Sequence, residues 1–185
     1  MSANADVDAG VDPDAPADAD ETDSRQFRRS PPRTVTDAAG RTVECRVATD
    51  GDREALAAMY DAFGIEGRAQ GIPPADPDRR REWLDTICDG IGVVATHGGR
   101  AVGHGVLLAG GPGHELALFV HPDYRSAGIG TALLRALLGR GEAAGVERVW
   151  LSVRRGNRPA VSLYRRAEFS VTESGLGELE MSRPL

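Results

Sequence analysis

The sequence predicts an α/β domain of the α+β kind, in which helices flank a central mixed sheet whose strands are mostly antiparallel. Two observations predict this class. Three strand-like segments follow one another between Ile91 and Val120, joined by short glycine-containing turns typical of antiparallel hairpins. Around them, segments with helical spacing alternate with short strands, which gives the order strand, helix, helix, three strands, helix, strand, helix and two strands.

The first part of the chain differs in composition from the rest. Residues 1–24 hold eight of the 28 acidic residues and no basic one, so this segment carries a charge of −8. The rest of the chain, with 20 acidic and 22 basic residues, carries +2, and the net charge of −6 therefore comes from the first segment. All 22 basic residues are arginines and follow it. A segment of Ala, Asp and Pro buries too little apolar surface to offset its ordering entropy. We therefore predict a disordered tail over residues 1–40 and one domain over 41–185. The arginines that follow the acidic segment are too few to indicate a nucleic-acid partner, so none is expected.

Apolar spacing predicts the elements of the N-terminal half. A strand is expected over Arg41–Thr49, and Asp50 is expected to cap the helix that follows. Asp76 or Asp78 is expected to begin a second helix. The residues predicted for the buried faces of these two helices are Leu56, Met59, Tyr60, Phe63, Trp83, Leu84, Ile87 and Cys88.

In the C-terminal half, predicted strands and helices alternate more regularly. Helices are expected after the glycines near residue 130, ending at Gly145, and after Asn157. The predicted strands are Ile91–Thr96, Ala101–Ala109, Glu115–Val120, Glu147–Val153, Phe169–Thr172 and Leu179–Arg183.

The two cysteines, Cys45 and Cys88, stand far apart and lack metal-ligand spacing. They are expected to be free thiols in a reducing compartment, and no metal is expected. No apolar run reaches the ~20 residues of a membrane span, and no signal peptide is seen. A cytoplasmic protein without a membrane partner is therefore expected.

A strand-to-helix junction carries the strongest functional pattern. His121-Pro122-Asp123 ends a strand, and Arg125-Ser-Ala-Gly-Ile-Gly-Thr131 leads into a helix. The first N–H groups of a helix lack intrahelical partners, glycines let a phosphate approach them, and an arginine adds positive charge. The pattern predicts a pyrophosphate site, with a tight turn as the alternative. A dinucleotide fingerprint does not fit, because Trp150 or Leu151 stands where an acidic residue would be required.

Two motifs resemble those of a known family. Arg125-x-x-Gly128-x-Gly130 resembles the coenzyme A pyrophosphate loop of the GNAT superfamily of N-acyltransferases. The segment from Asn157 through Ala160 and Tyr164 to Phe169 resembles the family's second motif. The resemblance implies the GNAT acyl-CoA N-acyltransferase fold over about residues 41–183.

The resemblance also implies a set of site residues. Tyr164 would be the general acid toward the departing thiolate, and Glu115 a base acting directly or through water. A core role for Tyr164, a plain helix-capping role for Asn157 and a surface role for Glu115 are the alternatives, and His114 and His121 are further proton acceptors. The residues implied to contact acetyl-CoA are Leu118, Phe119, Val120, Arg125, Ser126, Ala127, Gly128, Ile129, Gly130, Thr131 and Asn157.

The implied reaction is transfer of an acetyl group from acetyl-CoA to a primary amine of a small molecule, by direct attack in a ternary complex. The alternatives are a protein N-terminus or lysine as the acceptor, a non-catalytic CoA-binding sensor, and a nucleotide- or phosphate-binding module. Ribosomal-protein N-terminal acetyltransferases resemble this chain but carry a glutamate where Ser152 stands. The acceptor is expected near residues 64–77, Arg79 and Trp83, with Arg68 and Gln70 as contacts. The sequence leaves open the identity of the acceptor, the acyl-chain preference and whether the protein is a homodimer.

Overall fold

The computed structural model describes residues 31–64 and 73–185. Its strands are β1 (Arg33–Thr36), β2 (Thr42–Val47), β3 (Ile91–His97), β4 (Arg100–Gly110), β5 (Gly113–Val120), β6 (Arg148–Arg154), β7 (Ser170–Ser174) and β8 (Glu178–Pro184). Its α-helices are α1 (Arg53–Asp61), α2 (Pro77–Cys88), α3 (Ile129–Ala143) and α4 (Arg158–Arg166). The predicted fold class is confirmed.

The eight strands form one sheet in the order β1-β2-β3-β4-β5-β6-β8-β7. Every neighbouring pair is antiparallel except β5 and β6, which are parallel and are connected through α3. This parallel pair is short, because only His114–Val149 and Glu115–Trp150 are in register. Beyond Glu115, β5 pairs with β4 alone among the described strands, so the sheet opens between β5 and β6.

Alternating side chains of the sheet divide the interior into two apolar layers. One face packs against α3 and α4 through residues such as Leu133, Leu137, Leu151 and Met181. The opposite face packs against α1 and α2, whose buried residues are Leu56, Met59, Tyr60, Leu84 and Ile87. The predicted apolar faces of both helices therefore lie against the sheet.

The chain already forms a strand at Arg33–Thr36, within the segment predicted to be a disordered tail. This strand pairs antiparallel with β2, from Arg33 opposite Cys45 to Thr36 opposite Thr42. Four residues beside a Pro-rich, Arg-rich stretch carry too little periodicity to predict a strand, and their stability comes from pairing with β2. The sheet therefore begins before residue 41, the predicted start of the domain, while residues 1–30 lie outside the described part of the chain.

The first helix begins differently from the prediction. Asp50 opens a short 3₁₀ turn, Asp50–Asp52, and its side chain is exposed. Asp52 instead accepts hydrogen bonds from the Thr49 amide at 2.8 Å and from Arg46 at 2.6 and 2.8 Å. These bonds from Arg46 lower the pKa of Asp52 to about 2. In α2, by contrast, Asp76 caps as predicted and accepts from the Asp78 and Arg79 amides.

Both cysteines are free thiols, as predicted. In the described part of the chain, no helix is long and apolar enough to cross a membrane. The same residues include no group of three or more His, Cys, Asp or Glu side chains placed to hold a metal ion.

Candidate acyl-donor site

The loop after β5 begins α3 in an unusual backbone conformation. Gly128 is the residue that caps the helix, and its φ of +90° lies in the left-handed region that glycine adopts without steric cost. A Cβ built on Gly128 would meet no atom within 4 Å, so this side of the backbone faces open space. Both properties leave the loop backbone accessible to a ligand.

The backbone amides of this loop are unpaired within the part of the chain that the structure describes. Among the described residues, the N–H groups from Ser126 to Gly130 make no hydrogen bond, and the first helical bonds run from Thr131 and Ala132 to the Gly128 carbonyl. Unpaired amides at a helix N-terminus, reinforced by the helix dipole, form an anion site. The loop predicted to bind a pyrophosphate therefore offers several amide donors that no described residue uses.

These amides border a cleft of about 910 Å³ where the sheet opens between β5 and β6. Ala127 and Ile129 are buried behind its surface, at 8 % and 1 % exposed, and shape the wall. The implied acetyl-CoA contacts that do line the cleft are Leu118, Phe119, Val120, Arg125, Ser126, Gly128, Gly130, Thr131 and Asn157.

Arg125 lies at the mouth of the cleft. Its Nε donates to the carbonyl oxygen of Val120 at 3.3 Å, and its guanidinium carbon lies 5.4 Å from the centre of the Phe63 ring. The side chain is exposed, so its charge faces the solvent beside the unpaired loop amides. This placement adds a positive charge to the anion site.

Asn157 caps α4 and also lines the cleft. Its Oδ1 accepts the amide N–H of Ala160 at 3.3 Å, which is the plain capping role considered from the sequence. A side-chain amide has two N–H donors besides this oxygen. The capping bond therefore leaves the NH₂ group available to a ligand, and the two roles are compatible.

Tyr164 lies deeper than Asn157. It is 7 % exposed, packs against Phe169 and is not among the residues that line the cleft. The residues of α4 that line the cleft are Pro159, Ala160, Leu163 and Arg166. Burial raises the pKa of Tyr164 to about 12, so the phenol is protonated at neutral pH. Its hydroxyl has no hydrogen-bond partner among the described residues, which leaves a proton donor without a protein acceptor.

Glu115 is exposed and does not line the cleft. It lies four residues before Phe119, about 13 Å along the strand. A different carboxylate lies at the open end of the sheet. Glu178 of β8 is adjacent to the cleft residue Gly177, and its Oε2 accepts from the hydroxyl of Ser152 at 3.4 Å. Sequence reasoning missed Glu178, because only the pairing of β6 with β8 brings it beside Ser152.

His121, considered from the sequence as a proton acceptor, is 8 % exposed. Its Nδ1 accepts the amide N–H of Asp123 at 3.2 Å, and its ring packs edge-on against Tyr124. These contacts stabilise the turn after β5, which is a structural role.

An aromatic cluster covers the opposite face of the sheet beside the cleft. The Tyr60 ring lies 5.0 Å from Trp83 and 5.3 Å from Phe119, both edge-on, and Phe63 packs against Phe119 at 6.3 Å. Beneath it, His104 Nδ1 is 2.7 Å from the Tyr60 hydroxyl, and burial lowers the pKa of His104 to about 4. As far as it is described, the region expected to contact an acceptor therefore includes an aromatic surface at Trp83.

The other residues implied for the acceptor are placed only in part. Arg79 is exposed on α2, and Trp83 is half-buried in the aromatic cluster. Arg68 and Gln70 lie outside the described residues.

Several cleft residues were not predicted from the sequence. Arg166 lies within the Asn157 motif and Arg154 lies three residues before it, which is the signal that could have identified them. Pro159, Ala160 and Leu163 also lie on α4, whereas the remaining residues lie outside the α-helices and strands. The unpredicted lining residues are Phe63, Tyr124, Arg154, Gly156, Pro159, Ala160, Leu163, Arg166 and Gly177.

The site geometry agrees with what sequence comparison finds. The model of the acetyltransferase (GNAT) family matches residues 40–169. The chain belongs to this family. The match includes both motifs and the whole opening between β5 and β6.

Two curated GNAT relatives differ in length. The mycothiol acetyltransferase of Propionibacterium freudenreichii is 34 % identical over 136 residues, which cover 69 % of this chain and 43 % of the relative. The chain thus spans less than half of that protein. An acetyltransferase of Sodalis glossinidius is 36 % identical over 137 residues, covering 72 % of this chain and 92 % of the relative.

Solved GNAT structures share the fold. The GNAT domain of S. lividans PAT has a TM-score of 0.70 at 20 % identity, with 83 % of this chain and 97 % of that chain covered. The yncA protein of Salmonella typhimurium, solved with its cofactor acetyl-CoA, has a TM-score of 0.64 at 19 % identity, with 77 % and 94 % covered.

Proposed function

We propose that this protein is an acetyl-CoA-dependent N-acetyltransferase that acetylates a primary amine of a small molecule. The observation that carries the proposal is the array of unpaired amides from Ser126 to Gly130 at the start of α3, beside Arg125 and Asn157 in one cleft. Membership of the GNAT family supports the reaction class. The acetyl-CoA bound to yncA supports this donor.

Each group of residues in the cleft is assigned a role from its position. The loop amides and Arg125 hold the diphosphate of the donor, and the NH₂ group of Asn157 contacts its linking arm. Acetyl-CoA supplies the activated acetyl group. The edge of β5 from Leu118 to Val120, which pairs with no described strand on the side of β6, orients the carbonyl and stabilises the negative charge that develops on its oxygen during attack.

Tyr164 donates a proton to the leaving thiolate. Two observations support this assignment. Burial keeps the phenol of Tyr164 protonated, and its hydroxyl has no hydrogen-bond partner among the described residues. A donor near the leaving sulfur accelerates the step only if its proton is retained until the carbon–sulfur bond breaks. The raised pKa of Tyr164 satisfies this condition.

The acceptor must lose a proton before its nitrogen attacks. We assign the base role to a carboxylate acting through water, and Glu178 is better placed than Glu115 because it lies at the open end of the sheet. Glu178→Gln should lower kcat at pH 7 by about tenfold or more and weaken the dependence of the rate on pH. Glu115→Gln is the matched comparison on β5. If Glu115→Gln alone lowers kcat, the base is Glu115.

A small-molecule acceptor is favoured over a protein one by two observations. The apolar surface of Phe63, Trp83 and Phe119 suits a compact acceptor with an apolar portion. The name of the mycothiol acetyltransferase describes action on a small molecule. A protein N-terminus or a lysine is the second candidate, and peptides belong in the same assay.

The test measures release of free thiol from acetyl-CoA with a panel of primary amines and short peptides. Tyr164→Phe should lower kcat by about 10²-fold, because it removes the acid. Its CoA affinity by titration calorimetry should stay within twofold of the wild-type value. A variant with unchanged turnover would contradict the assigned acid.

Two outcomes decide between the classes of function. Binding of CoA without thiol release for any amine or peptide would favour the non-catalytic sensor. Thermal stabilisation by ATP or NAD but not by CoA would favour a nucleotide-binding module. Stabilisation by acetyl-CoA at 100 times its dissociation constant should be about 2.7 kcal/mol.

A further inference from the structure

We propose that the turn between β1 and β2, residues 37–41, is a positioning element that orients the backbone amides of the Ser126–Gly130 loop. The affinity for acetyl-CoA would then depend on residues outside the cleft. This inference rests on the proposed function. The turn begins at Asp37, before residue 40, where the match to the GNAT family model starts.

The first contact is a backbone hydrogen bond. The N–H of Ala38 donates to the carbonyl oxygen of Ala127 at 3.0 Å. The peptide bond between Ala127 and Gly128 is trans, so its N–H points away from its carbonyl. Because the turn holds the carbonyl on one side, the Gly128 N–H is directed to the opposite side, and Gly128 lines the cleft.

The second contact is made by Arg41. Its guanidinium carbon lies 3.9 Å from the centre of the Tyr124 ring, and its Nη1 donates to the carbonyl oxygen of Asp123 at 3.2 Å. Tyr124 lines the cleft, and its hydroxyl is 2.9 Å from Nδ1 of His97. Arg41 therefore fixes the segment that leads into the loop.

The turn is rigid enough to act in this way. The Asp37 side chain is fully buried and accepts from the Ala39 and Arg41 amides at 2.9 Å and from Nε of Arg41 at 2.7 Å. The Gly40 amide donates to the Asp37 carbonyl, which closes a four-residue β-turn. A loop held before the ligand arrives loses less entropy on binding.

Replacement of Ala38 by proline isolates the first contact. Ala38 is exposed and occupies the second position of the β-turn, which proline favours, so Ala38→Pro keeps the turn and removes the N–H. Ala38→Ser retains the N–H and is the matched control. Titration calorimetry with CoA and with dephospho-CoA, which both contain the diphosphate, measures the effect.

We expect Ala38→Pro to weaken both ligands by about five- to tenfold, as loss of one oriented hydrogen bond implies. Ala38→Ser should bind as wild type, all three proteins should melt within a few degrees of one another, and KM for acetyl-CoA should rise with little change in kcat. Unchanged affinity in Ala38→Pro would overturn the proposal, and so would a loss confined to CoA, since that would implicate the 3′-phosphate.

A second variant keeps the proposal testable if Ala38→Pro does not fold. Arg41→Gln removes the stacking on Tyr124 and should weaken both ligands by a similar factor, whereas affinity equal to wild type would overturn the role of the turn. Wild-type protein that binds neither ligand would instead refute the proposed function itself.

Discussion

Gly128 shows at a single residue how backbone conformation prepares the site. Its positive φ turns the chain into α3, and the missing Cβ leaves the adjacent amides open. An alanine here would be strained and would place a methyl group on the ligand's side of the loop. The same residue thus determines both the direction of the helix and the access of an anion to it.

Gly128→Ala should therefore weaken CoA binding by about tenfold or more and destabilise the protein by about 1 kcal/mol. Titration calorimetry and urea unfolding measure the two effects. Gly145→Ala is the matched control, because Gly145 also has a positive φ, +77°, and open space around its Cβ position, but follows the far end of α3. It should lose similar stability and keep its CoA affinity. Equal affinity losses in both variants would contradict a local role for Gly128.

Tyr164 and Asn157 show what residue-level prediction achieves. The resemblance to the second GNAT motif implied a site role for both, and Asn157 lines the same cleft as the loop glycines, whereas Tyr164 lies behind its wall. The burial that raises the pKa of Tyr164 depends on Phe169 and on the sheet beneath, which no local pattern describes. Glu178 is missed for the same reason, since its neighbour Ser152 is 26 residues away in sequence.

At the scale of elements, the opening between β5 and β6 positions the cleft. The two strands meet only at their N-terminal ends, next to Gly113. A Cβ on Gly113 would lie 2.5 Å from the carbonyl oxygen of Arg148, the first residue of β6. Strands β5 and β6 approach closely at this end and separate at the other, and this determines the shape of the cleft.

Gly113→Ala should push β6 away from β5 and destabilise the fold by about 2 kcal/mol or more, because the clash is with backbone atoms that cannot rotate away. Chemical unfolding provides the measurement. Gly110→Ala, in the preceding strand, has open space at its Cβ position and should change stability much less. Similar stability of the two variants would show that β6 yields easily and that the junction is not constrained.

Element prediction succeeded where apolar periodicity was strong and failed where pairing alone stabilises the backbone. Strands β3 to β6 and all four helices were expected at nearly their observed positions. Strand β1 was missed because it is only four residues long and, among the described strands, pairs with β2 alone. The capping role expected of Asp50 is not observed, because the chain enters α1 through the 3₁₀ turn Asp50–Asp52, in which the Asp52 carboxylate accepts the Thr49 amide.

For the whole molecule, the sheet separates the two groups of residues in the proposed site. The loop amides, Asn157 and Tyr164 lie on the side of α3 and α4, while the aromatic cluster lies on the side covered by α1 and α2. Phe63 and Phe119 of the aromatic cluster line the same cleft as the loop residues. A donor and an acceptor could approach the same point from opposite sides, as direct transfer in a ternary complex requires.

The sequence motifs were sufficient to predict the family, because each of the two motifs lies within one short segment of the chain. The size of the cleft and the contact of the β1–β2 turn with the loop after β5 arise from residues distant in sequence. Such long-range contacts depend on strand pairing and helix packing, which local patterns in a single sequence do not reveal.

A crystal structure of the protein with acetyl-CoA tests the central proposal most directly. We expect diphosphate oxygens about 3 Å from the amide nitrogens of Gly128 and Gly130, a normal hydrogen-bond distance, with the thioester between β5 and β6. A diphosphate bound elsewhere, with these amides contacting only water, would contradict the account.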